Sequence, residues 1–297
     1  NLYAYCTIEE TDNGQIVIDA FDSHCHKSYS SAKLLMIDGD ASLIKGVYNR
    51  IIHDYDLEAK SFKITTYNDA PAGSGLGTSS TMVVCILKAF IEWLSLPLGD
   101  YETSRLAYEI ERKDLGLSGG KQDQYAAAFG GFNYMEFFKD DQTIVNPLRV
   151  KADYIFELEK NIVLFYTSKS RESARIIQEQ VDNVRSQNQT SIDAMHQIKA
   201  QSVMMKEALL KGELQKIGEI FDFGHQHKKN MASKISNSTL DKIYETAKAA
   251  GATGGKISGA GGGGFMIFYC PKNTRYAVID TLNSFGGSIN KYSFTKY

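Results

Sequence analysis

The stretch PAGSGLGTSS, residues 71–80, sets three glycines at every second position and follows them at once with three hydroxyls. Ahead of it, SFKITTYND (61–69) has the β-branched, alternating character of a strand. Behind it, STMVVCILKAFIEWLS places Val83, Leu87, Phe90, Ile91 and Leu94 at helical spacing and is too apolar for a surface helix. A glycine loop between a strand and the N-terminus of a buried helix lets backbone N–H groups close on an anion, where the helix end adds partial positive charge. The stretch therefore reads as a phosphate cradle. A Walker A loop needs Lys where Thr78 stands, and a Rossmann loop needs its glycines at the chain's first βα turn. A protein-kinase loop needs a companion Lys strand and an H-R-D segment, which the chain lacks; the DFG at Asp222–Gly224 reads as a helix ending on a glycine.

At 297 residues the chain has room for two domains or one large one. With 43% apolar and 23% charged residues and a net charge of -2, nothing draws it to nucleic acid or to an anionic membrane. Cys6, Cys25, Cys85 and Cys270 form no C-x-x-C pair, no apolar run approaches a membrane span of ~20 residues, and no signal-peptide pattern opens the chain. A soluble cytoplasmic protein acting on small molecules is expected. NLYAYCTIEE starts like a strand already under way and without Met, so a start truncated inside a domain is expected.

Residues 1–9 and 14–21 read as strands joined by the hairpin turn TDNG. DYETSRLAYEIERKDLG reads as a helix stopped by Gly116, and LSGGKQDQYAAAFGGFNYMEFF as a glycine turn, a short helix and a strand. Near 155 the character changes: an apolar strand (161–167), helices at 172–184, 191–211, 213–223 and 238–250, and a buried strand (264–270). We expect an N-terminal ATP-binding domain over 1–155 and a C-terminal domain over 156–297. A second glycine cluster, GATGGKISGAGGGGF, occupies 251–265.

P-x-x-x-G-L-G-[ST]-S at 71–79, taken with the later KISGAGGGGF, resembles the GHMP family of small-molecule kinases. The resemblance implies a two-domain α+β architecture, with an N-terminal ribosomal-protein-S5-domain-2-like fold and a C-terminal domain of helices against an antiparallel sheet. It also implies ATP and Mg²⁺. Pro71, Gly73, Ser74, Gly75, Leu76, Gly77, Thr78, Ser79 and Ser80, with Gly259, Gly261, Gly262 and Gly263, would frame the nucleotide. AYEIERKDLGLSGGKQDQYAAAFGG is similar to the family segment that carries a metal-binding Glu and, on a glycine turn downstream, a catalytic Asp; Glu111 and Asp123 match. Ser79 would supply a hydroxyl to the same ion, with Thr78 its neighbour and alternative, and Glu109 is the rival of Glu111 on the same helix. Gly120, on that turn, falls to the substrate side; Lys121 is left out of the catalytic set.

YTSKSRESARII (166–177) puts Lys169, Arg171 and Arg175 at a helix start, where the dipole disfavours cations unless an anion is shared there. An ordinary charged helix end, with Glu172 and Glu179 as partners, is the other reading. With LYAYCTIEE, LIKGVYNRI (43–51) and GGKQDQYAAAFGGFNYMEF, this segment looks like the branch that phosphorylates D-glycero-D-manno-heptose 7-phosphate at the anomeric position. The resemblance implies a sugar phosphate and ATP as small-molecule partners, Arg171 and Arg175 binding substrate, and a 1,7-bisphosphate product for nucleotide-activated heptose. A fucokinase-like enzyme acting on a neutral sugar and a non-catalytic ATP- and sugar-binding regulator are the alternatives. The family's opening P-L-R-x-x-x-x-G-G-G-T-D segment is not in this sequence. His24–His26 on one face of a strand and His225–His227 after a helix are weak metal pairs. Met195, Ile198, Met205 and Leu209 form a helical stripe read as core.

Overall fold

The computed structural model describes residues 1–168 and 173–295. They form two compact units, one of residues 2–72 and 77–130, the other of Asn1, Gly73–Leu76 and the chain from Gly131 onward. Residue 155, where the sequence changes character, lies inside the second unit.

The first unit holds strands β1 (Ala4–Glu10), β2 (Gln15–Ala20) and β3 (Cys25–Ser30), helix α1 (Ser42–Asp54), strand β4 (Phe62–Asn68) and helices α2 (Thr78–Leu94), α3 (Asp100–Glu109) and α4 (Gln122–Phe129). The sheet order is β1-β4-β2-β3. β4 runs antiparallel to β1 and parallel to β2, so Ile64 faces Ile8 on one side and Ile18 on the other. Alternation along β2 and β4 buries Ile16, Ile18, Phe62 and Ile64 beneath Val47, Tyr48 and Ile51 of α1 and Val83, Leu87 and Phe90 of α2. Phe62 meets Phe90 edge to face at 5.6 Å and Trp93 at 5.3 Å, contacts that add to the area buried.

The expected hairpin between β1 and β2 does not form, because β4 lies between them. TDNG instead passes over the start of β4: Thr11 N donates to Ser61 O at 3.0 Å and Gln15 N to Ser61 Oγ at 3.1 Å. Nor do His24 and His26 share a strand face. His24 sits before β3 with φ +52°, while His26 pairs with Asp19 at 2.9 Å.

The second unit carries the hairpin β5 (Asn133–Phe137) and β6 (Thr143–Pro147), then helix α5 (Ala152–Asn161), strand β7 (Ile162–Tyr166) and helices α6 (Ser173–Arg185), α7 (Gln189–Lys211), α8 (Ile217–Lys228) and α9 (Ser238–Ala249). Strands β8 (Gly254–Ile257) and β9 (Phe265–Tyr269), helix α10 (Arg275–Asn283) and strand β10 (Ser288–Asn290) complete it. Its second sheet, β10-β7-β9-β8, is antiparallel throughout, which matches the expected helices against an antiparallel sheet. Val163, Phe165 and Phe268 pack on Ile243 and Tyr244 of α9 and Val278 of α10; the opposite face sets Ile162 and Tyr269 against Leu209, Ile217 and Ile220. Leu209 and Met205 of the methionine stripe join this second core.

The DFG tripeptide does not end a helix. It lies inside α8, where a Cβ on Gly224 would collide with the Gln201 side chain at 2.0 Å, so the glycine serves α7–α8 packing. His225 likewise lies within α8 and not after it, stacked on Tyr244 at 4.0 Å. No helix among the described residues is long and apolar enough to cross a membrane.

Candidate active site

In the first unit the site is assembled from the starts of α2 and α4 and the end of α3. Gly77 caps α2 with φ +70°, which delivers Thr78, Ser79 and Ser80 in the first helical turn. α3 runs on into a single π turn, Ile110–Asp114, in which Leu115 N reaches back five residues to Ile110 O at 2.9 Å. Such a turn shifts the side chains that follow it relative to an α-helix, and single π turns recur at functional sites. Here it carries Glu111, whose side chain is fully buried.

Ser79 Oγ donates to Glu111 Oε1 at 2.6 Å, and the side-chain amide of Gln124 donates to Glu111 Oε2. The same amide nitrogen donates to Ser80 Oγ at 3.0 Å. Arg112 Nη1 stands 3.8 Å from Glu111 Oε1, while its Nε donates to Gly120 O at 3.3 Å. Glu109 is engaged elsewhere, by Arg50 at 2.7 Å and Lys113 at 3.3 Å. Thr78 uses its carbonyl, which accepts from Asn68 Nδ2 at 3.4 Å.

Asp123 opens α4 beside Gly77. A Cβ on Gly77 would stand 2.8 Å from Asp123 Cγ, so the position demands glycine twice, for its positive φ and for the approach of the carboxylate. Burial pushes the Asp123 carboxyl above its ordinary value; the Arg112 guanidinium opposes that and the Glu111 charge adds to it. Lys121 Nζ lies over the Tyr108 ring at 5.3 Å.

In the second unit the two glycine segments dock on each other. Phe265 N donates to Ser74 O at 2.9 Å and Ser258 Oγ to Gly75 O at 2.9 Å. A Cβ on Gly264 would stand 2.2 Å from Ser74 O, so the backbones touch only because that residue is glycine. Gly73, Gly75 and Gly77 all have positive φ, as do Gly259, Gly261, Gly262 and Gly263. Lys228 reaches the carbonyls of Ile257 and Gly259, and Gly262 N is taken up by Ile235 O at 2.6 Å. Arg175 is exposed on α6; Lys169 and Arg171 lie outside the described residues.

The residues fit the groups a kinase would bring. Ser79 and Glu111 offer adjacent hard oxygen donors of the kind Mg²⁺ takes, the second on a fully buried side chain. Among the described residues no group of three or more His, Cys, Asp or Glu is placed to hold a metal, so an ion here would complete its shell from phosphate oxygens and water. Ser74 Oγ, buried in the glycine loop with no partner among the described residues, is a hydroxyl ready for a phosphate oxygen.

Sequence reasoning passed over Gln124, Arg112 and Gly264. Their signals were present: Gln124 follows Asp123 on the same helical turn, Arg112 follows Glu111, and Gly264 ends an uninterrupted run of four glycines.

Residues 42–131 match the GHMP kinases N terminal domain and residues 205–288 the GHMP kinases C terminal domain. Over its whole length the chain is 44% identical to D-glycero-alpha-D-manno-heptose 7-phosphate kinase of Campylobacter jejuni, covering 87% of that protein. The crystal structure of a D-glycero-D-manno-heptose 1-phosphate kinase from Bacteroides thetaiotaomicron superposes with a TM-score of 0.84 at 56% identity, over 99% of this chain and 85% of that one. Methanococcus jannaschii mevalonate kinase, at 19% identity, shares the fold with a TM-score of 0.77, over 99% of this chain and 89% of that one. On these matches and on the paired glycine segments, the chain belongs to the GHMP kinases and is an ATP-dependent sugar phosphotransferase.

Proposed function

We propose that the protein transfers the γ-phosphoryl group of ATP to the anomeric hydroxyl of D-glycero-D-manno-heptose 7-phosphate, giving the 1,7-bisphosphate. The observation that carries the chemistry is the Ser79–Glu111 contact at 2.6 Å, with Asp123 held against Gly77 at the head of the next helix. The heptose phosphate assignment draws on the named relatives.

In this reading the loop at 71–80 and the glycines at 259 and 261–263 hold the triphosphate, and Ser79 with Glu111 would hold Mg²⁺. The ion supplies neutralisation of charge on the β- and γ-phosphates. Asp123 receives the proton of the attacking hydroxyl, and its raised affinity for a proton suits a base working nearer neutrality. Arg112, pinned to the glycine turn through Gly120, opposes the effect of burial and favours the ionised form of that carboxylate. Arg171 and Arg175 take the sugar's 7-phosphate, where planar guanidinium forks match phosphate oxygens.

The test is ADP release from Mg-ATP with heptose 7-phosphate, heptose 1-phosphate, mannose 6-phosphate, fucose and galactose as acceptors, and ³¹P NMR of the product. Turnover on the 7-phosphate with a new anomeric phosphorus signal is expected. Turnover confined to the 1-phosphate or to a neutral sugar would overturn the substrate assignment.

A further inference from the structure

We infer that Gln124 is a positioning residue for the metal-binding carboxylate: its side-chain amide holds Glu111 so that Oε1 stays turned toward Ser79. The inference rests on the reading of Ser79 and Glu111 as the Mg²⁺ pair.

A glutamate reaches its ligand through three rotatable bonds, and one whose free oxygen is untethered can turn away from an ion. Glu111 has no such freedom. Its Oε1 accepts from Ser79 at 2.6 Å and its Oε2 from Gln124, within a fully buried side chain. Gln124 is itself fully buried, and both of its N–H groups are used, one on Glu111 Oε2 and one on Ser80 Oγ at 3.0 Å. That sets which way the amide faces, since the reverse orientation would press its oxygen against the carboxylate. The set orientation leaves Gln124 Oε1 buried with no partner among the described residues. An orphaned acceptor works against stability, so the amide is retained for the two hydrogen bonds it donates, one of them to a buried carboxylate. What the glutamine supplies in return is control of Glu111. Because Gln124 follows Asp123, the first turn of α4 presents the base and orients the metal ligand together. Groups that orient a metal ligand from behind commonly carry about 10- to 100-fold in metal affinity.

The experiment measures Mn²⁺ binding to the protein–ATP complex by electron paramagnetic resonance, for wild type, Gln124→Ala, Gln124→Met, Glu111→Gln and the Gln124→Met/Glu111→Gln double variant. Mn²⁺ takes the same oxygen ligands as Mg²⁺. Metal-free ATP affinity and Tm are read alongside. Gln124→Met should weaken Mn²⁺ binding about 10-fold, leave metal-free ATP affinity unchanged and lower Tm, since Glu111 Oε2 and Ser80 Oγ lose their donor. The double variant should bind no worse than Glu111→Gln. Normal Mn²⁺ affinity in Gln124→Met beside weakened affinity in Glu111→Gln overturns the role of Gln124 alone. Normal affinity in both overturns the reading of Glu111 beneath it. Mn²⁺ binding in the double variant weaker than in Glu111→Gln by the full Gln124→Met loss would mark Gln124 as merely structural and overturn the inference as well. Should the alanine variant not fold, the methionine variant, which keeps the volume, carries the comparison.

Discussion

Ser79 Oγ and Glu111 Oε1 stand 2.6 Å apart, although 32 positions separate them in sequence and one lies in the first turn of α2 while the other rides a π turn at the end of α3. In the proposed reaction these two oxygens, one of them on a fully buried carboxylate, would form part of an ion's coordination shell.

Removing either oxygen should therefore act through the metal. Ser79→Ala should raise the Mg²⁺ concentration for half-maximal activity by about 10-fold, and Glu111→Gln should do so at least as strongly. The sugar KM at saturating Mg²⁺ should stay put. Titration of activity against free Mg²⁺ at fixed ATP checks this; an unchanged Mg²⁺ requirement in both variants would remove the pair from the reaction.

Asp123 predicts a trade between stability and rate. Burial raises its carboxyl affinity for a proton in the folded state, so the group favours folding while protonated and loses that contribution as pH rises through its folded value. At neutral pH its ionised form is a burden. Asp123→Asn should then raise Tm at pH 7 while lowering kcat by ~10²-fold or more, with ATP KM nearly intact. In the wild type the acid limb of kcat/KM should fall above the ordinary Asp value, because only the ionised form accepts the proton. A Tm series at pH 7 and a pH–rate profile measure both halves.

Much of the local structure around this candidate site was legible because its signals are local. The alternating glycines announce a loop at a helix start, and the stripe from Val83 to Leu94 announces the buried helix behind it. The sheet order was not legible: TDNG is a good turn, but whether β1 meets β2 depends on where β4 inserts, and that is decided by the core face shared with α1 and α2. DFG misled for a related reason, since a glycine that stops a helix and one that admits a neighbouring helix look alike until Gln201 is seen against it. Gln124 and Arg112 are ordinary polar residues by composition. Glu111 meets them from within a π turn, which no periodicity marks.

Two glycine contacts should separate rate from binding. Alanine at Gly77 would push Asp123 with a Cβ 2.8 Å from its Cγ, and its φ of +70° adds strain of roughly 1 kcal/mol. A displacement of the proposed base on that scale should lower kcat by about 10²-fold, a larger effect than the loss of ATP affinity that straining the phosphate loop brings. Alanine at Gly264 would strike Ser74 O at 2.2 Å and shift residues 73–76, so it should raise ATP KM and lower Tm. Steady-state kinetics on both variants decides the matter; the same kinetic defect in each would deny the division of labour.

His225 sets a pH limit on the second unit that has nothing to do with chemistry at the site. It is 2% exposed, stacked on Tyr244 at 4.0 Å, and burial pulls its pKa from 6.5 down to about 4, with Lys229 adding to the effect. The neutral ring is the folded form, so its contribution to stability is complete above pH 6.5 and is lost as pH falls toward about 4, where unfolding takes up a proton. Over that window the loss amounts to about 3 kcal/mol, because each tenfold difference in proton affinity between the folded and unfolded chain is worth about 1.4 kcal/mol. His225→Phe keeps an aromatic ring against Tyr244 and removes the titration. Its stability at neutral pH should lie near that of the wild type, and its decline between pH 6.5 and 4 should be shallower by about one proton. Urea unfolding at half-unit pH steps measures the slope, and parallel curves for the two proteins would show that His225 does not govern acid stability.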